Sequence, residues 1–247
     1  MISHHQRATL TYDQLDNDSD SLARGLANQG VKKGDRVAVS LGNNLENATV
    51  TYALFKLGAI LVPLNPAFNA PQVLSGLNHL AASHLLIGAE TNLPYKAPKS
   101  NLPLLKALVP DLSASKLVSE AVPSLKGITL VNNSAGRINT AEYKSTVSYE
   151  NVIEDGNCAM GLDHVDLHPD EIVNIQFTSG TTSTPKAACL SHRSILNNGK
   201  SIGDRMILTE KDIVVCPPPL FHCFGSILGC TYTPRLKISE DVFLPHH

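Results

Sequence analysis

An α/β fold, with a mixed, largely parallel sheet flanked by helices, is what the sequence predicts. Helical stretches alternate with short buried apolar runs along the chain, an arrangement typical of parallel sheets. Capping residues separate the helices from the runs that follow them. The 247 residues are 43% hydrophobic and 17% charged, with a formal net charge of −2, so the chain is long and apolar enough to bury a core.

Helix boundaries in the first half of the chain are predicted from capping residues. Thr11 followed three residues on by Gln14 forms a capping box that begins the first helix, and Gly30 ends it. Gly58 closes a second helix, and Pro71 suits the first turn of a third. A short helix is also predicted over 104–109, and strands are predicted over 36–41, 59–63, 84–87 and 127–131.

The second half of the chain is predicted to regain regular structure only near residue 170. The polar segment 132–161 has weak periodicity and is predicted to be a surface connection with little function of its own. Ser191 is predicted to cap a helix that runs to Ile202. Alternating or β-branched runs predict strands at 171–177, 187–190 and 213–216.

Composition and charge argue against several classes of partner and location. Lys and Arg are not in excess and aromatic residues are few, so no nucleic-acid partner is expected. The most apolar stretch, 53–64, is short and interrupted by Lys56 and Pro63, so no membrane span is expected. The first residues are polar and no apolar run follows, which predicts an intracellular, cytoplasmic location. The last residues lack the small-basic-leucine tripeptide of peroxisomal proteins, although a peroxisomal location stays open.

The five cysteines are odd in number and sparse, which predicts reduced intracellular thiols that act as small buried hydrophobic residues. A metal site could be assembled on paper from Cys216, His222, Cys223 and Cys230. No C-x-x-C pair is present and each of these residues lies in an apolar or turn context, so no metal site is predicted.

The stretch from Thr178 to Lys186 carries the clearest chemical signal. It reads Thr-Ser-Gly-Thr-Thr-Ser-Thr-Pro-Lys and lies between two predicted strands. Hydroxyl and backbone N–H groups in a tight loop bind anions, and a lysine at its end adds a positive charge for phosphate, so the loop predicts polyphosphate binding. It is not a Walker A sequence, because Pro185 precedes the lysine and a strand follows it. On composition alone, a hydroxyl-rich hairpin without a ligand is equally supported.

The order of residues in this loop resembles the phosphate loop of the adenylate-forming superfamily, which includes acyl-CoA synthetases, coumarate-CoA ligases, luciferases and the adenylation domains of peptide synthetases. The family pattern is Thr-Ser-Gly-Thr-Thr-Gly-x-Pro-Lys, and the matching residues are Thr178, Ser179, Gly180, Thr181, Thr182, Pro185 and Lys186. Residues 219–225, Pro-Leu-Phe-His-Cys-Phe-Gly, resemble the next block of the acyl-CoA synthetase branch. The resemblance implies the N-terminal part of an acyl-CoA-synthetase-like adenylation domain.

The resemblance implies ATP-dependent activation of a carboxylic acid, fatty or aryl, to an acyl-adenylate that is then transferred to coenzyme A. ATP and Mg²⁺ are the implied cofactors, coenzyme A is the implied co-substrate, and a small carboxylic acid is the implied partner. Lys186 and His222 are implied as catalytic residues, with His222 near the carboxylate of the acid. The equally weighted alternative is that His222 is a structural residue whose hydrogen bonds are satisfied at the start of a helix. The implied cofactor-binding residues are Thr178, Ser179, Gly180, Thr181, Thr182, Ser183 and Lys186.

Several features depart from the family pattern. Ser183 and Ala187 stand where the family has glycine, and Ser183 would cost about 1 kcal/mol if its position needs a positive φ. The chain lacks the Tyr-Gly-x-Thr-Glu and Thr-Gly-Asp blocks and the small C-terminal domain. We therefore predict a truncated, partial adenylation domain over 1–230 and a divergent tail over 231–247. Such a ligase would be catalytically incomplete and marginally stable, or would need a complementing chain. The alternative is a non-catalytic nucleotide-binding or interaction protein of the same fold.

Overall fold

The strands of the described residues form one large sheet and two small ribbons. A computed structural model describes residues 1–3, 5–93, 96–159, 165–178, 186–209 and 212–227. The strands in this part of the chain are β1 (Ile2–Ser3), β2 (Ala8–Thr9), β3 (Arg36–Ser40), β4 (Ile60–Pro63), β5 (His84–Gly88), β6 (Glu90–Thr91), β7 (Lys99–Ser100), β8 (Gly127–Val131), β9 (Val147–Ser148), β10 (Ile172–Thr178) and β11 (Lys186–Ser191).

Helices connect most of these strands. They are α1 (Tyr12–Asn28), α2 (Leu45–Leu57), α3 (Ala70–His79), α4 (Leu102–Leu108), α5 (Tyr149–Cys158), α6 (His192–Met206) and α7 (Cys223–Ser226), with a 3₁₀ turn at Thr140–Glu142. In the described part of the chain, no helix combines the length and the apolar character needed to cross a bilayer.

The large sheet has the strand order β11-β10-β4-β3-β5-β8-β9. Val37 of β3 is paired in parallel with Leu61 of β4 on one side and with His84 of β5 on the other. β10 is parallel to β4, whereas β11 is antiparallel to β10. The predicted mixed, mostly parallel sheet is therefore confirmed, and the carboxyl ends of its parallel strands lie along one edge.

Helices cover both faces of this sheet. On one face, Leu22 and Leu26 of α1 pack with Leu54 of α2 and Val152 of α5. The other face is covered by α3 and α4, whose apolar side chains pack with Leu85 and Ile87 of β5. Each fully buried side chain of this kind stabilises the fold by about 1.5–3 kcal/mol relative to an exposed one.

The predicted helix starts and ends are confirmed where a capping residue signalled them. Thr11 and Gln14 form both hydrogen bonds of the capping box at the start of α1. Gly58 ends α2 with a φ of 64°, a left-handed conformation that glycine adopts without strain. Ser191 accepts a hydrogen bond from the backbone of Ser194 and so caps α6.

The prediction that 132–161 is a plain surface connection is wrong. The segment contains β9 and α5, and α5 packs along α1 with Val152 fully buried. The buried positions of α5 are Tyr149, Val152 and Gly156, which do have helical spacing. Because glycine adds nothing to apolar periodicity and normally weakens a helix, the sequence pattern does not indicate the face of α5 that contacts α1.

The predicted strand at 213–216 is also wrong. This part of the chain forms no regular structure, and Ile213 and Val215 are each 81% exposed. A β-branched run becomes a strand only when a neighbouring strand accepts its hydrogen bonds, and among the described residues none lies beside it. The prediction of buried cysteines is not met either: Cys158 and Cys189 are exposed, and Cys216 and Cys223 are half-buried.

Candidate functional site

The two ends of the predicted phosphate loop are brought together by the β10–β11 pair. Thr178, the last residue of β10, is the register partner of Lys186, the first residue of β11. The Thr178 hydroxyl donates a hydrogen bond to the Lys186 carbonyl oxygen at 3.3 Å. The loop is thus closed at its base by adjacent strands. The predicted residues Ser179, Gly180, Thr181, Thr182 and Ser183 lie outside the described residues.

The position of this loop follows from the direction of β10. Asn174 of β10 pairs in parallel with Leu61 of β4, so Thr178 lies at the carboxyl edge of the parallel strands. Ligands of open α/β sheets bind at this edge. Lys186 is exposed there, and within the described residues its ammonium group has no ion-pair partner. A free cation at the base of the loop suits an anionic ligand.

Ala187 occupies, without strain, the position at which the family pattern has glycine. It lies within β11, opposite Phe177 of β10, and its methyl group packs against the core beneath α3 and α4. The residues with a left-handed φ in the described chain do not include Ala187. Because the position is an ordinary strand position, the extra methyl group adds packing at little conformational cost.

His222 lies at the start of α7 and caps it. Its Nδ1 accepts a hydrogen bond from the backbone N–H of Phe224 at 3.2 Å. A backbone N–H can only donate, so Nδ1 must be the acceptor, and the neutral ring carries its proton on Nε2. The side chain is exposed. His222 therefore lies at a helix start, and the cap occupies Nδ1; among the described residues no hydrogen bond to Nε2 is formed.

Asn43 ties the His222 segment to the large sheet. It lies in the loop between β3 and α2, three residues after the carboxyl end of β3. Its Nδ2 donates to the Pro218 carbonyl oxygen at 2.9 Å, and its Oδ1 accepts from the backbone N–H of Leu220 at 2.8 Å. Sequence reasoning missed Asn43. The signal available was a polar residue following a buried parallel strand, at the edge where sites form.

The opposite side of this segment is held by Gly225 and Cys216. A Cβ atom on Gly225 would lie 2.2 Å from the carbonyl oxygen of Pro219, so only glycine lets α7 approach so closely. The Cys216 thiol donates to the Gly225 carbonyl oxygen at 3.4 Å. Burial raises the pKa of this thiol, which keeps the proton needed for that bond.

The structure thus gives the candidate site two separate anchors on one edge of the sheet. Thr178 and Lys186 are carried by β10 and β11, and the His222 segment is tied to the end of β3. In the sheet order β10 and β3 are separated by β4 alone, which places the two strand axes about 10 Å apart. In the described part of the chain, no three His, Cys, Asp or Glu side chains cluster as metal ligands would.

Comparison with known proteins gives matches along almost the whole chain. The profile of the family described as AMP-binding enzyme matches residues 1–237. Acyl-CoA ligase SID4 of Ajellomyces capsulatus is 38% identical over 246 residues, which is 96% of this chain and 39% of that protein. The mitochondrial medium-chain acyl-CoA ligase ACSF2 of Bos taurus is 31% identical over 93% of this chain and 37% of its own length.

Solved structures share the fold as well. Acetoacetyl-CoA synthetase from Streptomyces lividans superposes with a TM-score of 0.73 at 21% identity, over 92% of this chain and 33% of that one. At this identity the likeness concerns the fold alone. The chain spans about two fifths of the length of the curated relatives that it matches.

Proposed function

This chain belongs to the AMP-binding enzyme family, and from that premise we propose that it carries the phosphate-binding and acid-binding segments of an ATP-dependent carboxylic acid–CoA ligase. The observation that supports this most directly is the pairing of Thr178 with Lys186, which closes the predicted phosphate loop at the carboxyl edge of the sheet. Relatives named as acyl-CoA ligases point to the same chemistry.

In this proposal the loop from Thr178 to Lys186 holds the polyphosphate of ATP. The exposed Lys186 ammonium group fits an anion, because no carboxylate of the described residues neutralises it. Residues Ser179, Gly180, Thr181, Thr182 and Ser183 complete the proposed phosphate-binding set. When bound, ATP supplies the phosphorus that the acid attacks, and Mg²⁺ shares in neutralising the phosphates. Lys186 would hold the leaving pyrophosphate by charge.

His222 is proposed to bind the acid. With Nδ1 engaged by Phe224, the neutral imidazole presents Nε2–H, which can donate to a carboxylate oxygen. Such a bond orients the acid so that its other oxygen can approach the α-phosphorus. The capping role and the binding role are thus compatible, because they use different nitrogens. Coenzyme A, as the acceptor, is proposed from the names of the relatives.

A fatty or aryl acid remains the proposed substrate, and the name of the Bos taurus relative favours a medium-chain acid. That name also includes a mitochondrial location, so an intracellular compartment is part of the proposal. We further propose that 1–230 forms part of the adenylation domain, and that catalysis needs family sequence beyond these 247 residues.

A non-catalytic nucleotide-binding protein of the same fold is the second candidate. It is favoured by one observation: Ser183 stands where the family pattern has glycine, and this would weaken closure of the loop over the phosphates if the position needs a positive φ. Binding of ATP without formation of an adenylate would distinguish this candidate from a ligase.

The test is to incubate the chain with ATP, Mg²⁺, hydroxylamine and a panel of fatty and aryl acids, and to measure hydroxamate and pyrophosphate. With family sequence beyond these 247 residues supplied in the same reaction, we expect acid-dependent product that is lost in Lys186→Ala and retained in Lys116→Ala, which removes an exposed lysine outside the candidate site. Absence of product from every acid, together with calorimetric binding of ATP, would replace the ligase with the second candidate. Absence of both would overturn the two candidates together.

A further inference from the structure

The β3–α2 loop that carries Asn43 is itself firmly held. Asn44 accepts a hydrogen bond from the backbone of Asn47 and caps α2. The buried Asn47 side chain donates back to the Gly42 carbonyl oxygen at 2.9 Å. The loop is therefore fixed to the end of β3 on one side and to the first turn of α2 on the other. A side chain that projects from such a loop has a defined position.

Asn43 uses both ends of its amide on one short piece of backbone. The donor end binds the carbonyl oxygen of Pro218 and the acceptor end binds the N–H of Leu220, so the intervening Pro219 is bracketed. An amide group fixes its own orientation when it donates and accepts at the same time, because neither end can rotate without losing a bond. The buried Leu220 side chain adds an apolar anchor at the same point.

His222 follows this bracketed backbone within one turn. The His222 N–H donates to the Pro219 carbonyl oxygen at 3.1 Å, and the His222 carbonyl oxygen accepts from Ser226 at 3.0 Å. Gly225 closes the unit from the far side, since α7 touches the Pro218–Pro219 backbone there. The turn and α7 thus form one hydrogen-bonded unit. Among the described residues, two hydrogen bonds of the Asn43 amide join this unit to the loop that follows β3.

We propose that Asn43 is a positioning residue, which sets the place of His222 relative to the carboxyl edge of the sheet. This inference rests on the proposed function of His222. Thr178 and Lys186 are held independently by the β10–β11 pair. Loss of the Asn43 amide should therefore displace the acid-binding segment and leave the phosphate-binding loop in place.

A kinetic separation follows from these two anchors. In Asn43→Ala, the KM for the acid should rise by about fivefold or more, as expected when two neutral hydrogen bonds are lost, while the KM for ATP stays unchanged. Asn43→Asp keeps the acceptor for Leu220 and loses the donor to Pro218, so its acid KM should be intermediate. Asn78→Ala is the matched control, because Asn78 also makes two side-chain bonds, to Leu74 and Ala121, in another part of the fold.

The experiment measures hydroxamate formation against acid and ATP concentration for the four proteins, with dodecanoate and benzoate as the acids. A rise in acid KM confined to the Asn43 variants supports the proposal. An equal rise in both KM values, or an unchanged acid KM, overturns it. Because aspartate fills the same space as asparagine, an acid KM in Asn43→Asp equal to that of the unmodified chain would mean that the residue merely fills space.

Hydrogen exchange followed by mass spectrometry separates this inference from the proposed function. If the unmodified chain forms no hydroxamate, the ligase proposal fails, while the anchoring of His222 is still tested. Residues 217–227 should exchange faster in Asn43→Ala than in the unmodified chain or Asn78→Ala, and residues 172–178 should exchange equally in all three. Equal exchange of 217–227 in all proteins would overturn the role of Asn43.

Discussion

Gly156 of α5 lies in backbone contact with Ser21 of α1. A Cβ atom on Gly156 would come within 1.8 Å of the Ser21 carbonyl oxygen. Gly25 makes the reciprocal contact, because a Cβ atom there would lie 1.9 Å from the carbonyl oxygen of Val152. Arg24 Nε spans the same contact and donates to the Gly156 carbonyl oxygen at 2.8 Å. The two helices therefore touch along their backbones, and neither glycine position has room for a methyl group.

Gly156→Ala should consequently destabilise the protein by about 2–4 kcal/mol, because a methyl group without space forces α5 away from α1. The measurement is the free energy of unfolding from urea titration, followed by circular dichroism. Val152 would lose part of its burial in the shifted helix, so the effect should exceed that of a surface substitution.

Gly76→Ala provides the matched control for this prediction. Gly76 also lies within a helix, α3, but the nearest atoms to an added Cβ belong to Phe177 at 3.6 Å, an ordinary contact. Alanine favours helix over glycine by up to about 1 kcal/mol, so Gly76→Ala should be neutral or stabilising. Equal destabilisation by the two substitutions would contradict the close packing of α1 against α5.

The α1–α5 contact also shows where sequence reasoning about the fold stops. Helices that begin at Thr11 or end at Gly58 could be predicted, because capping acts over a few neighbouring residues. Residues 149–158 could not, since one of the three buried positions of α5 is Gly156, whose partner Ser21 lies 135 residues earlier in the chain. The run 213–216 failed for the opposite reason: its local preference for a strand finds no partner among the described residues.

The candidate site, like the fold, could be predicted from the sequence only in part. Strands on both sides of the loop could be predicted, at 171–177 and 187–190, and the structure has them at Ile172–Thr178 and Lys186–Ser191. The place of the His222 segment could not, because it depends on hydrogen bonds from Asn43 to a backbone 175 residues further along the chain. A side-chain amide that binds distant backbone leaves no periodic signal in a single sequence.

Glu90 is a buried carboxylate that depends on one partner of opposite charge. Its side chain is 6% exposed, and Arg137 reaches it at 2.6 Å from a half-exposed position. Arg137→Met should lower the free energy of unfolding, because the buried carboxylate would lose its compensating charge and the hydrogen bonds that Arg137 Nε and Nη2 donate to it. The measurement is again the free energy of unfolding.

Glu90→Gln combined with Arg137→Met tests the reason for that loss. With the buried charge removed, the double variant should be more stable than Arg137→Met alone. If the double variant is less stable than the unmodified protein by the sum of the effects of Glu90→Gln and Arg137→Met, the two residues act independently and the ion pair does not stabilise the fold.

His192 should make the stability of the protein fall in mild acid. Burial lowers the pKa of His192 from its ordinary value of 6.5 to about 4, because the charged ring loses its hydration at the start of α6. Between these values the unfolded chain takes up a proton that the folded protein does not. Stability present above pH 6.5 should therefore decline by about 1.4 kcal/mol per pH unit, and by about 3 kcal/mol in total near pH 4.

His192→Gln should flatten this decline, which urea titrations at pH 7, 6 and 5 would measure. A smaller slope should remain, because burial also lowers the pKa of His84. His84→Gln is the parallel variant. If the slope between pH 6.5 and pH 5 is the same in the unmodified chain and in His192→Gln, the ring of His192 is charged in the folded state and the prediction is wrong.

Substitutions can distinguish the roles of the two ring nitrogens of His222. Asparagine retains an oxygen that accepts from the Phe224 backbone, so His222→Asn should preserve the start of α7, whereas His222→Ala should lose about 1 kcal/mol of unfolding free energy. Neither variant keeps the Nε2–H donor, so under the proposed function both should form hydroxamate about tenfold more slowly or worse. Full activity of His222→Asn would mean that this histidine serves the helix alone, and the acid would then have to be held by another group.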